Sequence, residues 1–230
     1  MKIGIIAAMP EELAYLIQEL EQGQKVQILG NAYHTGKIGS VEVVLVESGI
    51  GKVMSAMSVA VLADRFQVDA VINTGSAGAV ANGIAVGDVV IADKLAYHDV
   101  DVTAFGYEYG QMARQPLYFE SDGKFISLIQ ESLSKLDQTW HLGLIATGDS
   151  FVAGDDKIAR IKSHFPQVLA VEMEGAAIGQ AAQALGLPFL VIRAMSDNAN
   201  HEASISFDEF IIEAGRRSAQ VLLTFLKAVN

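Results

Sequence analysis

The chain has 230 residues, and its 16 Lys and Arg against 27 Asp and Glu give a net charge of −11. Because phosphate contacts need Lys and Arg, this charge argues against a nucleic-acid partner. An apolar fraction of 51% argues against disorder, and the absence of Cys excludes a disulfide framework, a thiolate zinc site and a Cys nucleophile. With no linker, repeat or low-complexity segment, the chain is expected to form one domain over residues 1–230.

The amino-terminal segment is a short apolar run that ends at Pro10-Glu11-Glu12. This run is too short and too abruptly acidic to resemble a signal peptide. No other run approaches the roughly 20 apolar residues that span a bilayer. We therefore expect a cytoplasmic protein without a membrane partner.

The first half of the chain predicts strands that alternate with helices. A continuous apolar run predicts a buried strand over residues 2–8, and Pro10 followed by two glutamates begins a helix. Three short runs then predict an antiparallel meander at residues 26–29, 32–38 and 41–46. A helix at 53–66 and a buried strand at 70–74 follow.

The second half continues the alternation after an irregular stretch. The predicted elements are strand 89–95, helix 125–136, strand 142–147, strand 168–173, helix 174–185, strand 189–195 and helix 207–229. Residues 97–116 have no clear period and hold several aromatic side chains, which favours a functional or interfacial loop. The alternation predicts an α/β fold around a mostly parallel sheet, with an antiparallel part from the early meander.

Candidate functional residues follow the buried strands, because ligands of open α/β sheets bind beyond the carboxyl ends of the strands. These positions are 9–12, 75–78, 148–152, 171–174 and 193–197. They would bring three carboxylates, a Gly-Ser loop, an Arg and a Phe into one cleft, which is a pattern for acid–base chemistry on a small polar ligand. Arg193 lies inside an apolar run, so we expect a carboxylate beside it.

Each carboxylate also has a purely structural interpretation. Glu12 and Glu174 would be favourable partners of a helix dipole, and Asp197 would be a turn or cap residue. Met9, Met173 and Met195 would be core or pocket wall.

Recognised short motifs are incomplete in this chain. The segment 49–53 lacks the later Gly of a dinucleotide fingerprint and the Ser or Thr of a P-loop. Thr74 stands where a nucleophile elbow needs its first Gly. The His residues are scattered, and the His98 to Asp101 segment lacks further ligands at a recognised spacing. We therefore expect neither a metal site nor a cofactor, and we interpret the His residues as structural or exposed.

Several longer motifs do occur in a recognisable order and spacing. They are Gly4-Ile5-Ile6-Ala7-Ala8-Met9 followed by Glu11-Glu12, Asn73-Thr74-Gly75-Ser76-Ala77-Gly78, Asp99-Val100-Asp101-Val102-Thr103-Ala104-Phe105-Gly106-Tyr107, Val171-Glu172-Met173-Glu174 with Ala176-Ala177, and Ser196-Asp197. Over essentially the whole chain, this set resembles the methylthioadenosine/S-adenosylhomocysteine nucleosidases of the nucleoside phosphorylase superfamily. The resemblance implies a three-layer α/β/α fold with a central mixed, largely parallel twisted sheet.

The resemblance also implies hydrolysis of the N-glycosidic bond between adenine and ribose, through an oxocarbenium-like state. In that scheme Asp197, held by Ser196, protonates N7 of adenine, which requires a raised pKa that apolar surroundings can supply. Glu12 is the base that activates water on the other face of the sugar, and Arg193 and Ser76 help to hold that water.

The remaining site residues are likewise implied by the resemblance. Glu174 would accept hydrogen bonds from the ribose hydroxyls, with Met173 against the sugar. Phe151 would stack on adenine, and the backbone of Val152 would read its edge. The wall of the sugar and thioalkyl pocket would consist of Met9, Ile50 and Phe207.

Members of this family act as homodimers, and the resemblance implies that Phe105 and Tyr107 of the neighbouring subunit close the thioalkyl pocket. That role suits the aperiodic, aromatic segment 97–116. The chain departs from the family pattern at Ala113, where relatives carry Pro, and at Asn200, where an acidic residue is frequent.

Two other functions compete with this one. A phosphorylase of the same fold would use phosphate as the nucleophile, but phosphate needs fixed positive charge. Phosphorylase relatives carry an Arg where this chain has Asn73, and Glu12 would repel an anion. A non-catalytic nucleoside sensor or storage protein would lose the acid or the base, whereas Glu12 and Asp197 are both present.

Overall fold

The computed structural model describes residues 1–199 and 203–229. Asn200 and His201 lie outside this part of the chain. The strands are β1 (Lys2–Ala7), β2 (Glu21–Ile28), β3 (Asn31–Ile38), β4 (Val41–Glu47), β5 (Ala70–Ala79), β6 (Val89–Tyr97), β7 (Phe119–Glu120), β8 (Trp140–Thr147), β9 (Val168–Glu172) and β10 (Phe189–Asp197). The helices are α1 (Pro10–Gln18), α2 (Lys52–Phe66), α3 (Gly123–Leu133), α4 (Asp155–His164), α5 (Gly175–Ala184) and α6 (Ala203–Ala228).

All strands belong to one mixed sheet in the order β10-β6-β8-β9-β5-β1-β4-β3-β2, with β7 paired to β6. Strand β5 also pairs with β10, so the strands β5, β10, β6, β8 and β9 close into a ring. The meander β2-β3-β4 is antiparallel, and β1 pairs in parallel with β4 and β5. Antiparallel pairing extends beyond the meander, to β9 on β5 and to β6 on β10.

Helices cover both faces of the sheet, which confirms the predicted three-layer fold. Successive residues of a strand point to opposite faces. On β1, Ile3 and Ile5 pack into the core formed with α1, α3 and α6, whereas Ile6 packs into the core with α2 and α5. Among the described residues, no helix is long and apolar enough to cross a membrane.

The prediction that residues 75–78 form a loop after a strand ending at Thr74 was wrong. Strand β5 continues to Ala79 because β10 pairs with it in parallel from Val71 as far as Gly78. The register shifts between Met195 and Asp197, so the end of β10 carries an irregularity next to β5. Helix α4 and strand β7 were not predicted, and residues 97–116 hold only a short 3-10 helix beyond the end of β6.

Candidate active site

A cavity of about 470 Å³ lies where β1 and β9 end, and the carboxyl-terminal parts of β5 and β10 contribute to its wall. It is lined by every residue that the resemblance assigns to the pocket within one chain, namely Met9, Glu12, Ile50, Ser76, Phe151, Val152, Met173, Glu174, Arg193, Ser196, Asp197 and Phe207. The tertiary structure therefore brings together segments that are far apart in the sequence. The functional roles of these residues stay predictions.

Glu12 is buried at the start of α1, and hydrogen bonds hold both of its carboxylate oxygens. Its Oε2 accepts from the backbone N–H groups of Ala8 and Met9, at 3.0 and 3.2 Å. Its Oε1 accepts from the backbone N–H and the hydroxyl of Ser76, both at 2.9 Å. The side chain thus has one orientation toward the cavity and also completes the first turn of its helix.

Gly75 separates Glu12 from Arg193. A methyl group at this position would lie 2.7 Å from Glu12 Oε1 and 2.5 Å from Arg193 Nη1. Both distances are far below van der Waals contact, so only Gly allows the two charged groups to approach the backbone here. Both charged groups also line the cavity.

Arg193 is almost fully buried on β10 and lies among carboxylates. Its Nη2 donates to Glu172, to Glu174 Oε2 at 3.2 Å and to Asn73 Oδ1 at 2.5 Å. Burial opposes the charge, but the two glutamates outweigh it and raise the pKa of Arg193 above its usual value. The guanidinium is therefore a fixed cation.

Glu172 is the residue that sequence reasoning missed. Besides Arg193, it accepts from the hydroxyl of Thr147 and from the backbone N–H groups of Glu174 and Gly175, at 3.0 and 2.7 Å. Because a buried Arg must be paired, the sequence predicted that some carboxylate lies beside Arg193. Nothing in the local pattern indicated whether that carboxylate is Glu172 or Glu174.

Glu174 faces the cavity just before α5. Its Oε1 accepts from the backbone N–H of Gly51 at 2.9 Å. Burial, assisted by the charge of Glu172 and opposed by Arg193, raises the pKa of Glu174 to about 7. Its carboxyl group is therefore able to accept or to donate a hydrogen bond near neutral pH.

Asp197 is buried at the end of β10 and lines the cavity. Its Oδ2 accepts from the hydroxyl of Ser196 at 2.9 Å, and its Oδ1 accepts from the backbone N–H of Ala199 at 2.7 Å. Burial raises the pKa of Asp197, although these two hydrogen bonds oppose the rise. A raised pKa favours a proton on this carboxyl group, which is what a general acid requires.

Aromatic and aliphatic side chains form the rest of the wall. Phe151 and Phe207 meet edge to face, with ring centroids 5.8 Å apart. Phe151 and Ile50 are partly exposed at 42% and 55%, whereas Val152 is buried. A flat ring could therefore stack on Phe151 from the cavity side.

Phe105 and Tyr107 do not line the cavity of their own chain. Phe105 is 82% exposed, and the hydroxyl of Tyr107 accepts from the backbone N–H of Arg114 at 3.2 Å. The His residues that the structure describes also lie away from the cavity. For example, His141 pairs with Asp88 at 3.0 Å, and His164 stacks on Tyr109.

Comparisons with known proteins identify the family of this chain. The sequence profile of the phosphorylase superfamily matches residues 2–227. The 5'-methylthioadenosine/S-adenosylhomocysteine nucleosidase of Aeromonas salmonicida is 48% identical over 229 residues, which cover 98% of this chain and 99% of that protein.

Solved structures are also close to this fold. The nucleosidase of Streptococcus pneumoniae, solved with a transition-state inhibitor, is 83% identical, covers 100% of both chains and superposes with a TM-score of 0.98. The Streptococcus pyogenes enzyme, in complex with 5-methylthiotubericidin, is 60% identical with a TM-score of 0.98, over 100% of this chain and 98% of that chain. The chain therefore belongs to the 5'-methylthioadenosine/S-adenosylhomocysteine nucleosidases of the phosphorylase superfamily, enzymes that hydrolyse N-glycosidic bonds.

Proposed function

We propose that this enzyme hydrolyses the N-glycosidic bond of methylthioadenosine and S-adenosylhomocysteine, releasing adenine and the thio-substituted ribose. The observation that carries this choice is the charge of the pocket. Among the described residues, Arg193 is the only cationic side chain that lines the cavity, and it is paired with Glu172 and Glu174. Glu12, Asp197 and Asp208 add further acidic groups to the lining. Such a site suits water as the nucleophile and a substrate without phosphate.

The same observation weighs against a phosphorylase. Phosphate binding needs cations or donors that are free to contact the anion. The amide of Asn73 is committed, because it donates to the carbonyl of Ile6 at 2.9 Å and accepts from Arg193. A phosphate above Gly75 would also meet the carboxylate of Glu12.

Glu12 is proposed as the base that removes a proton from water. The Glu12 carboxylate and the Arg193 guanidinium both lie against Gly75 and line the cavity, so a water molecule bound beside them would donate to Glu12 and accept from Arg193. The water oxygen forms the new bond to C1' of the ribose, and Glu12 takes the released proton. Ser76 keeps the carboxylate in place through its two hydrogen bonds.

Asp197 is proposed as the acid that protonates N7 of adenine as the glycosidic bond breaks. Adenine protonated at N7 takes up the bonding electrons and leaves as a neutral base. Without that proton it would leave as an anion, so protonation lowers the barrier to its departure. Burial favours the protonated carboxyl group, and Ser196 holds it in one rotamer. Glycosidase chemistry uses the same division between one acid and one base.

The rest of the pocket would hold the substrate. Glu174 would accept hydrogen bonds from the ribose hydroxyls, with Met173 beside the sugar, and Phe151 would stack on adenine next to the Val152 backbone. The sugar and thioalkyl wall would be formed by Met9, Ile50 and Phe207. All of these side chains line the cavity.

The enzyme is further proposed to act as a homodimer, in which Phe105 and Tyr107 of one subunit close the pocket of the other. Support comes from exposed apolar side chains in the segment 97–116 and around the beginning of α2. Phe105 is 82% exposed, Ile50 just before α2 is 55% exposed, and Val53 and Met57 within α2 are 68% and 45% exposed. A second copy of the chain would remove this apolar surface from water.

Phosphate dependence tests the reaction class. Purified enzyme is incubated with methylthioadenosine or S-adenosylhomocysteine, with and without phosphate, and free adenine is measured. We expect equal release in both conditions, with the free thio-substituted ribose as the second product. Release that requires phosphate and yields a ribose phosphate would establish the phosphorylase instead.

Two conservative substitutions test the assigned roles. Asp197→Asn and Glu12→Gln should each lower kcat by at least about 100-fold, the usual contribution of a positioned acid or base. Binding of an unreactive substrate analogue should change little, as measured by calorimetry. Unchanged turnover in either variant would show that the substituted residue does not have the proposed role. If the wild type bound the nucleoside but released no adenine, the result would support the alternative of a non-catalytic nucleoside sensor.

A further inference from the structure

Three charged side chains form a cluster just outside the cavity, at the start of α2. Lys52 Nζ donates to both carboxylate oxygens of Asp99, at 2.9 and 2.8 Å, and lies 3.5 Å from Asp149 Oδ2. The backbone N–H of Asp149 also donates to Asp99, at 2.9 Å. We call these residues the Lys52 cluster. None of the three side chains lines the cavity itself.

The cluster fixes one wall of the pocket through the backbone. The N–H of Lys52 donates to Asp149 Oδ1 at 2.9 Å, and the N–H of the preceding Gly51 donates to Glu174 Oε1 at 2.9 Å. Gly51 has φ 97, and a methyl group there would lie 3.0 Å from Asp149 Oδ1. Ile50 lines the cavity and immediately precedes these two anchored residues.

The cluster also fixes a second part of the pocket wall, the one that contains Phe151. Asp149 immediately precedes Ser150 and Phe151, which line the cavity where adenine is proposed to stack. The side chain of Asp149 is held by Lys52, and its backbone is held by Asp99. The Ile50 wall and the Phe151 wall are therefore joined by one group of charge-assisted hydrogen bonds.

We propose that Lys52 is a positioning residue that sets the separation of the Ile50 and Phe151 walls and thereby the affinity for the nucleoside. The inference rests on the proposed function, because affinity is read as adenine release. Without the ammonium group, Asp99 and Asp149 are like charges without a shared partner, so they repel each other. The walls then move apart, and each binding event must bring them back together.

This role predicts a specific kinetic signature. Among the described residues, the Lys52 cluster has no hydrogen bond to Glu12 or Asp197, so the chemical step should proceed normally once the substrate is bound. An interaction that contributes equally to ground state and transition state changes KM and leaves kcat unchanged. Because the Lys52 and Asp99 side chains are 23% and 27% exposed, salt should also screen their attraction.

The test compares Lys52→Met and Lys52→Arg with the wild type, using methylthioadenosine, which has no net charge. Lys52→Met should raise KM about fivefold and change kcat less than twofold. Lys52→Arg keeps the positive charge, so its KM should stay close to the wild-type value. Raising the salt concentration from about 0.05 M to about 0.5 M should raise KM for the wild type but not for Lys52→Met. Asp99→Asn should also raise KM and reduce its salt dependence.

Lys135→Met is the matched control, because the exposed Lys135 side chain, just after α3, pairs with Glu131 at 3.3 Å. It should leave KM and kcat unchanged. An unchanged KM in both Lys52→Met and Asp99→Asn would overturn the inference, and so would a loss confined to kcat. If the wild type released no adenine, the proposed function itself would fail, which is a different outcome.

Discussion

The carboxylate of Glu12 accepts two hydrogen bonds from Ser76, one from its backbone N–H and one from its hydroxyl, both at 2.9 Å. The first residue belongs to α1 and the second to β5, so the proposed base is tied directly to the central sheet. Ser76 lies inside a strand, where its backbone cannot easily shift. The orientation of Glu12 therefore depends on the pairing of β5 with its neighbours.

Removing only the hydroxyl tests this arrangement. Ser76→Ala keeps the backbone N–H bond to Glu12 and loses the side-chain bond. Since a hydrogen bond to a charged group contributes about 1.5–3 kcal/mol, kcat should fall roughly 10-fold to 100-fold. Steady-state kinetics check the value, with Ser163→Ala on α4 as an inert control. A wild-type rate in Ser76→Ala would mean that the backbone bond alone positions Glu12.

Gly75→Ala should remove turnover by filling the space between two charged groups. The added methyl would lie 2.5 Å from Arg193 Nη1 and 2.7 Å from Glu12 Oε1. We expect at least a ~100-fold loss in kcat, because water is displaced and its base is lost. Adenine binding at the Phe151 end should persist by calorimetry. Gly123→Ala is the control, since a methyl there meets no atom within 4 Å. Wild-type activity in Gly75→Ala would contradict the proposed placement of the water beside Glu12 and Arg193.

Thr147→Val should destabilise the fold through the buried glutamate network. The Thr147 hydroxyl donates to Glu172 and accepts from the backbone N–H of Ala176 at 2.8 Å. Valine keeps the shape but leaves both partners unsatisfied, at a cost of about 1–3 kcal/mol in the free energy of unfolding. Urea denaturation measures this free energy. Thr147→Ser keeps the hydroxyl and should therefore retain most of the stability. Equal stability of all three proteins would show that water replaces the hydroxyl.

The pKa of Glu174 predicts how stability depends on pH. Burial, opposed by Arg193 and assisted by the charge of Glu172, raises this pKa from 4.5 to about 7, so the folded state binds the proton more tightly than the unfolded chain. The stability from this group is full below about pH 4.5 and is lost as pH rises toward 7. The Tm of the wild type minus that of Glu174→Gln should therefore fall across this window. A pH-independent difference would contradict the raised pKa.

Mixed dimers test the proposed sharing of the pocket. Phe105→Ala alone should raise KM for methylthioadenosine, since the neighbouring pocket loses its cover. The Phe105→Ala subunit is then mixed with the inactive Asp197→Asn subunit, which keeps its Phe105. In such a mixed dimer, the only active pocket belongs to the Phe105→Ala subunit and is closed by the intact Phe105 of its partner. The KM of these pockets should return to the low wild-type value. If mixing does not lower KM, Phe105 either contributes to the pocket of its own chain or makes no contribution to substrate binding.

Local patterns in the sequence were enough to predict most elements and most of the pocket lining, whereas Ile50 and Phe207 were implied only by the family resemblance. Apolar runs and helical spacing are local properties, and the positions after buried strands meet at one edge of a sheet by geometry alone. Helix α4 escaped prediction because its sequence, Asp155 to His164, is largely polar and has a single fully buried residue, Ile161.

The tertiary structure decided which charges meet. Arg193 contacts Asn73 across 120 positions and Glu172 across 21, and Lys52 contacts Asp99 and Asp149 across 47 and 97. Such pairings depend on strand order and register, which no local window of sequence contains. The same holds for residues 75–78, where pairing with β10 extends a strand beyond the Gly residues that locally favour a turn. The charge of −11 was visible from composition, but the meeting of Glu172 and Glu174 with Arg193 in the pocket became visible only once the chain was folded.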